Sequence, residues 1–408
     1  LNGIAAAASV DLSAASSLTV SEAIVSVNGP VALDASIDIT VAAPISIASG
    51  SGAVVLAAGR DVRVNAAVTG RGGIVDILAD RHVHFNSVGS IDTQIGSPAV
   101  TLRADADNLG GGRINMADGS SVATGGTIDL AAAGNIVLSR LISSATVRVE
   151  SSGGAILDAD VNGGQDIESI TAILTAVNGI GEDTNPLETT LRRLEAAVAA
   201  GGMWLDNVGD LWIGGLSGLA GLSAGTTDIS VVGSLTATET ITSVNGPIRL
   251  DASGDLTLGA PVSISSGAGA LVLDAGQDIT VNSAVSTTGG TVALLAGKDI
   301  RLSSAGSIDT RSGSPSVTLT ADTDGVGGGG IDLENGSSVD ATGGAIDVDA
   351  TDDIHLGRLV TGSAVTVDSA AGSILDSGAS GGPDIDASTA VLRAARGIGT
   401  GANALEMA

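Results

Sequence analysis

The chain has 408 residues, 60 of them glycine, with 43% hydrophobic residues and a net charge of −28. It is too apolar for a disordered segment, has no apolar run near the ~20 residues that span a bilayer, and with 17 Lys and Arg against 45 Asp and Glu suits neither nucleic acid nor anionic lipid. With no Cys, no Tyr, one Phe (Phe85) and two Trp (Trp204, Trp212), the core is left to Val, Ile, Leu and Ala, which fits a slim interior of many thin layers better than a compact globule.

The opening "LNGIAAAASVDL" has no basic n-region and no Met start, so it is expected to begin a mature or excised piece rather than a signal peptide. Short alternating apolar stretches follow, bounded by Gly, Asn and Asp, which is the strand signal. "SVNGP" (26–30) returns at 243–247, "GSIDT" (89–93) at 306–310 and "GSSV" (119–122) at 336–339, each shifted by 217. "TGG" (124–126), "ILD" (156–158) and "GIG" (179–181) return shifted by 218, at 342–344, 374–376 and 397–399. One residue inserted near Asp340 explains the change, so the chain is two tandem copies of one unit.

Between the copies stands "NPLETTLRRLEAAVAAGG" (185–202). Asn185 caps, Pro186 suits the first helical position and Glu188 the positive end. Leu187, Leu191, Leu194 and Val198 fall at i, i+4, i+7 and i+11, and Gly201 and Gly202 close the run. The spacing predicts one short helix per repeat unit. "MWLDNVGDLWIGG" follows, and Trp204 and Trp212 are expected to cover the helix or the gap beside it, with ligand binding, a sugar for instance, as their second reading. The predicted layout is a first unit over 1–184, a helix and Trp junction over 185–215, and a second unit over 216–408, in one continuous rod.

The second copy shows a shorter period. "DASGDLTL" (251–258), "DAGQDITV" (274–281) and "LAGKDIRL" (295–302) place Asp255, Asp278 and Asp299 about 21–23 residues apart, each followed by alternating apolar positions. No long helical connection and few two-residue reversals join the strands. The fold class is therefore all-β, a parallel β-solenoid of some 18 coils, which at ~4.8 Å per coil makes a rod of roughly 85 Å. Leu256, Ile279 and Ile300 should stand in one column. "ANALEMA" (402–408) aligns with "TNPLETT" (184–190), so a second helix is expected to start there, as in a segment of a longer array.

In repeat style, "GDLTL", "GQDITV", "AGKDIRL" and "GIGTGANALE" resemble large exported proteins of the filamentous haemagglutinin type. The resemblance implies a right-handed parallel β-helix, secretion to a bacterial cell surface and a role in adhesion or as a fibre. Neighbouring repeats or identical chains end to end, and host or cell-surface glycans, are the partners it implies, without nucleic acid or membrane insertion. A polysaccharide-binding or polysaccharide-degrading β-helix is the alternative. Such an enzyme needs converging Asp, Arg or Lys and aromatic platforms at one site, whereas here aromatics are few and acidic positions are duplicated, so no catalytic residue is expected.

The best metal candidates are the acidic loops "ADADNLGGG" (104–112) and "ADTDGVGGG" (321–329). Asp105 with Asp107, and Asp322 with Asp324, set two carboxylates two apart beside loop carbonyls, a donor set for Ca²⁺. The competing reading is turn carboxylates bonding their own backbone. His82, His84 and His355 align with Asp299, Arg301 and Val137 of the sister copy, and none recurs at ligand spacing.

Overall fold

Runs of alternating residues, two to twelve long, dictate the local structure: one side chain points in, the next points out. In the computed structural model, which describes residues 3–93, 95–160, 163–310, 312–378, 382–400 and 404–408, these runs are strands. Most strands pair in parallel with the strand three places along in the chain, so three strands generally make one coil. The architecture is a parallel β-solenoid.

The chain divides into two units, Leu1–Asp206 and Asn207–Ala408. In the first, one face stacks Ile4–Ala6, Ile24–Ser26, Ile45–Ile47 and Ala67–Thr69, continuing to Leu187–Thr190. A second face stacks Val10–Ala14, Val31–Ala35 and Val54–Ala58 through to Arg193–Val198. A third runs from Leu18–Val20 through Ile39–Val41 and Asp61–Val64 to Gly179–Ile180. In the second unit, Leu256 pairs with Ile279 and Ile279 with Ile300, so the expected column is present. All three are fully buried, and identical aliphatic positions renew the core in every coil.

No helix occurs among the described residues, which corrects the helical excursion at 185–202. That stretch forms the strands Leu187–Thr190 and Arg193–Val198. Leu187, Leu191, Leu194 and Val198 are buried, as a helical face would require, but so are Thr189 and Ala196 between them. Steps of four residues are also even steps of a strand; only the odd step from Leu191 to Leu194 departs from period two, and a corner at Leu191 and Arg192 absorbs it. Ladder bonds to the preceding coil then override helix propensity, Leu194 pairing with Ala172 and Val198 with Ala176. Of the expected second helix start, residues 402 and 403 lie outside the described residues, and Met407 bridges in parallel to Ile385.

The sequence offset is also a structural offset. Ser26 is buried at a corner and its Oγ donates to the carbonyls of Ala8 and Gly29, at 2.5 and 2.7 Å. Ser243, 217 residues on, does the same to Gly225 and Gly246, at 2.6 and 2.7 Å. Beside these hydroxyls the corners close on glycine: a Cβ on Gly52 would lie 2.5 Å from the Gly29 carbonyl oxygen, and one on Gly73 would lie 2.0 Å from that of Gly52. Gly246, Gly269 and Gly290 repeat this column. The extra residue of the second copy is Asp340, at the end of the strand Ser338–Asp340. Its Oδ1 accepts the N–H of Thr342 at 2.8 Å, and Thr342 takes a φ of 51°. Ile346 beyond it still points inward and pairs with Val317, as Ile128 pairs with Val100.

Candidate functional site

The aspartates that mark the short period stand at a corner where each coil meets the next. Asp255 Oδ1 accepts the N–H of Asp278 at 3.3 Å, Asp278 that of Asp299 at 3.2 Å, and Asp299 that of Gly330 at 2.7 Å. The first copy begins the same ladder, Asp38 Oδ1 accepting from Asp61 N at 3.3 Å, and adds arginines. Arg60 pairs with Asp38, and Arg81 grips Asp61 with two bonds of 3.0 and 2.8 Å. Arg63 adds a third at 2.8 Å to Asp61, whose side chain is 1% exposed. Burial pushes the Asp61 carboxyl up, but the Arg81 hydrogen bond and the Arg81 and Arg63 charges outweigh it and hold it below its ordinary value of 3.8. A lowered folded-state value gives stability that is present above pH 3.8 and lost as the pH falls through it. Asp61→Ala is therefore expected to cost about 2 kcal/mol at pH 7. In thermal melts of the two proteins that gap should shrink in acid.

Each acidic-loop aspartate bonds within its own copy. Asp105 and Asp322 have φ of 68° and 62°, the left-handed region that Asp tolerates best among non-glycine residues. Asp105 Oδ1 accepts from Gly110 N at 2.6 Å and Asp107 Oδ1 from Leu109 N at 3.1 Å. In the second copy Asp324 Oδ1 accepts from Val326 N at 2.8 Å, and Asp322 Oδ2 from the hydroxyl of Thr351. Trp204 is half-buried in the strand Gly202–Val208, its ring lying over Gly202, where a Cβ would be 2.3 Å from it. Trp212, in Leu211–Ile213, alternates between buried Leu211 and Ile213 and is 39% exposed. His82 and His84 share one strand with ring centroids 5.4 Å apart, and His82 Nδ1 accepts from Arg113 N at 3.2 Å. Burial foremost lowers both imidazoles from their ordinary value, against the pull of the Asp61 carboxylate. His355 sits with Asp299, Arg301, Asp332 and Asp353 along an open groove of about 490 Å³ that neither Phe nor Trp lines.

Coil stacking creates one cluster that the sequence reading missed. Asp158, Asp166 and Glu188 each bring a carboxylate oxygen within 4.8 Å of the others, and Asp376, Asp384 and Glu406 do so in the second copy. Asp166 N donates to the Glu188 carbonyl at 2.8 Å, and Glu188 N donates back to Asp166 Oδ2 at 3.0 Å. Asp384 and Glu406 form the same ring, at 2.8 and 2.9 Å. Asp158 closes its turn through Asp160 N at 2.9 Å, as Asp376 does through Gly378 N at 2.8 Å. Asp166 is 1% exposed; burial foremost, then the Asp158 and Glu188 carboxylates, push its carboxyl up to about 10. Asp384 is pushed up to about 6, by burial foremost and then by Asp376 and the Glu406 carboxylate, against the N–H bond from Glu406 that lowers it. Glu188 is raised as well, by burial and then Asp158. The signal was present in the sequence: all three carboxylates recur at the 218 offset, in "ILD", in "QDI" and "PDI", and in "PLE" and "ALE".

Comparison with known proteins finds no match: no protein family, no curated protein and no solved structure is similar to the chain. Among the described residues no helix is long and apolar enough to cross a membrane.

Proposed function

We propose that this chain is a non-enzymatic structural segment of a secreted, surface-displayed fibrous protein, an adhesin or extracellular filament of the filamentous haemagglutinin type. The observation that carries the reading is the recurrence of one coil, with the same aliphatic columns and the same corner bonds, in both copies. A catalytic pocket is a singular place, built once, whereas the carboxylate triads here are duplicated. Stacked parallel coils make a stiff spacer, since within each unit successive coils are bonded to one another strand by strand. Stacking against neighbouring repeats, or against identical chains end to end, is the partnership this geometry suits. Host or cell-surface glycans are ligands for its outer surface, with Trp212 as the exposed aromatic.

Electron micrographs of the purified chain test this. Slender particles of uniform width are expected, joined lengthwise if copies stack. A compact globule, or turnover of a polysaccharide in a degradation screen, overturns the reading. Calcium at Asp105, Asp107, Asp322 and Asp324 is the cofactor proposal that remains. Against it stands the use of one oxygen of each aspartate in a hydrogen bond within the protein, while Asp322 Oδ1 is buried without one. Addition of millimolar Ca²⁺ is accordingly expected to leave the melting temperature unchanged.

A further inference from the structure

Two carboxylate triads, built alike in the two copies, have no role in the stacking of aliphatic columns. We infer that each triad is held together by a shared proton, with Asp166 and Asp384 as neutral carboxylic acids, so that the coils around them are tightened by acid and loosened as pH rises.

Geometry and charge carry this. Asp166 and Asp384 are 1% and 2% exposed, and each is locked to the next coil by the two-bond ring with Glu188 or Glu406. The Oδ2 of Asp158 and the Oε2 of Glu188 are buried and receive no hydrogen bond. A carboxyl proton on Asp166 supplies the donor that Asp158 Oδ2 lacks. The charged groups facing Asp166 are Asp158 from the strand Ala155–Asp158 and Glu188 from the next coil, with Asp160 beyond Glu188. The cation of the preceding coil, Arg140, turns outward and bonds Glu168 at 2.9 and 2.6 Å. Its counterpart Arg358 is directed to Asp386, 4.0 Å away, while Asp376 and Glu406 face Asp384. Three like charges this close, with no cation among the groups that act on Asp166, Glu188 or Asp384, leave a proton as the compensating charge.

The sign follows from linkage. Both carboxyls are raised above the unfolded value of 3.8, so their contribution is complete below it. Above it the folded chain keeps a proton that the unfolded chain has released, and stability falls as pH rises. The fall ends near pH 6 for Asp384 and continues towards pH 10 for Asp166.

The test compares thermal melting of the whole chain with that of an Asp166→Asn, Asp384→Asn double variant, from pH 4.5 to 8.5 in EDTA and then with added Ca²⁺. Asparagine copies the neutral acid. The two proteins should melt alike at the acid end, and the variant should melt higher at pH 8 by about 5 °C. The comparison removes the general self-repulsion of a chain of net charge −28, which both proteins share. A gap that does not change with pH, or a variant that melts lower throughout, overturns the proposal. So does Ca²⁺ that raises the melting of the native chain at pH 8 but not that of the variant, which would make the occupant a cation. Should the variant fail to fold, infrared spectra of the native chain decide: a protonated-carboxyl band persisting at pH 7 supports the shared proton, and its absence refutes it.

Discussion

Gly290→Ala is expected to destabilise the chain by about 3 kcal/mol, the upper end of what overpacking costs. Its Cβ would lie 1.7 Å from the carbonyl oxygen of Gly269, closer than any non-bonded pair of atoms tolerates. That obstacle is backbone of the preceding coil, and Gly269 is fixed in turn above Gly246, where its own Cβ would meet a carbonyl oxygen at 2.5 Å. No rotamer change relieves the clash; the coils must part at that corner. Gly290 needs no positive φ, so the effect isolates close approach from backbone strain. Gly218→Ala is the control: open space surrounds it and it is exposed, so a change within about 0.5 kcal/mol is expected. Urea unfolding of the two variants reads both, and equal effects would mean that the glycine column does not set the coil spacing.

Ile279→Asp should have a larger effect still, above about 4 kcal/mol, because a carboxylate is placed without a partner in a fully buried aliphatic column between Leu256 and Ile300. One residue further on, Thr280 faces outward between Thr257 and Arg301. Thr280→Asp is expected to change stability by less than about 1 kcal/mol. A one-residue step that separates a severe from a mild substitution is the signature of a pleated strand with one buried face. Similar losses at both positions would contradict the placing of Ile279 inward and Thr280 outward.

The core was open to reading because alternation writes itself directly into sequence: Leu256, Ile279 and Ile300 each follow an aspartate by one residue, and the column results. The same alternation hid inside "LETTLRRLEAAV", where steps of four satisfy a helix and a strand equally. What decides between them is the coil beneath, with Ala172 and Leu174 waiting at the paired positions, and a single segment carries no trace of that partner. The aspartate ladder was visible as a period but not as a set of bonds, since the acceptor and the N–H it serves are about one coil apart. The carboxylate triads were hidden for a related reason. Asp166 stands 8 residues from Asp158 and 22 from Glu188, distances that mean proximity only once the winding is known. The acidic loops drew notice through paired carboxylates, whereas the structure gives one oxygen of each to an N–H or O–H group.

Asp340 shows where such a chain tolerates irregular length. An odd insertion inside a strand would turn every following side chain to the wrong side, yet here the added residue is spent at a bend and Ile346 keeps its inward place. Bends thus act as buffers between reading frames of the pleat. Descendants of one ancestral unit can drift in length there, residue by residue, while each rung goes on fitting the rung before it.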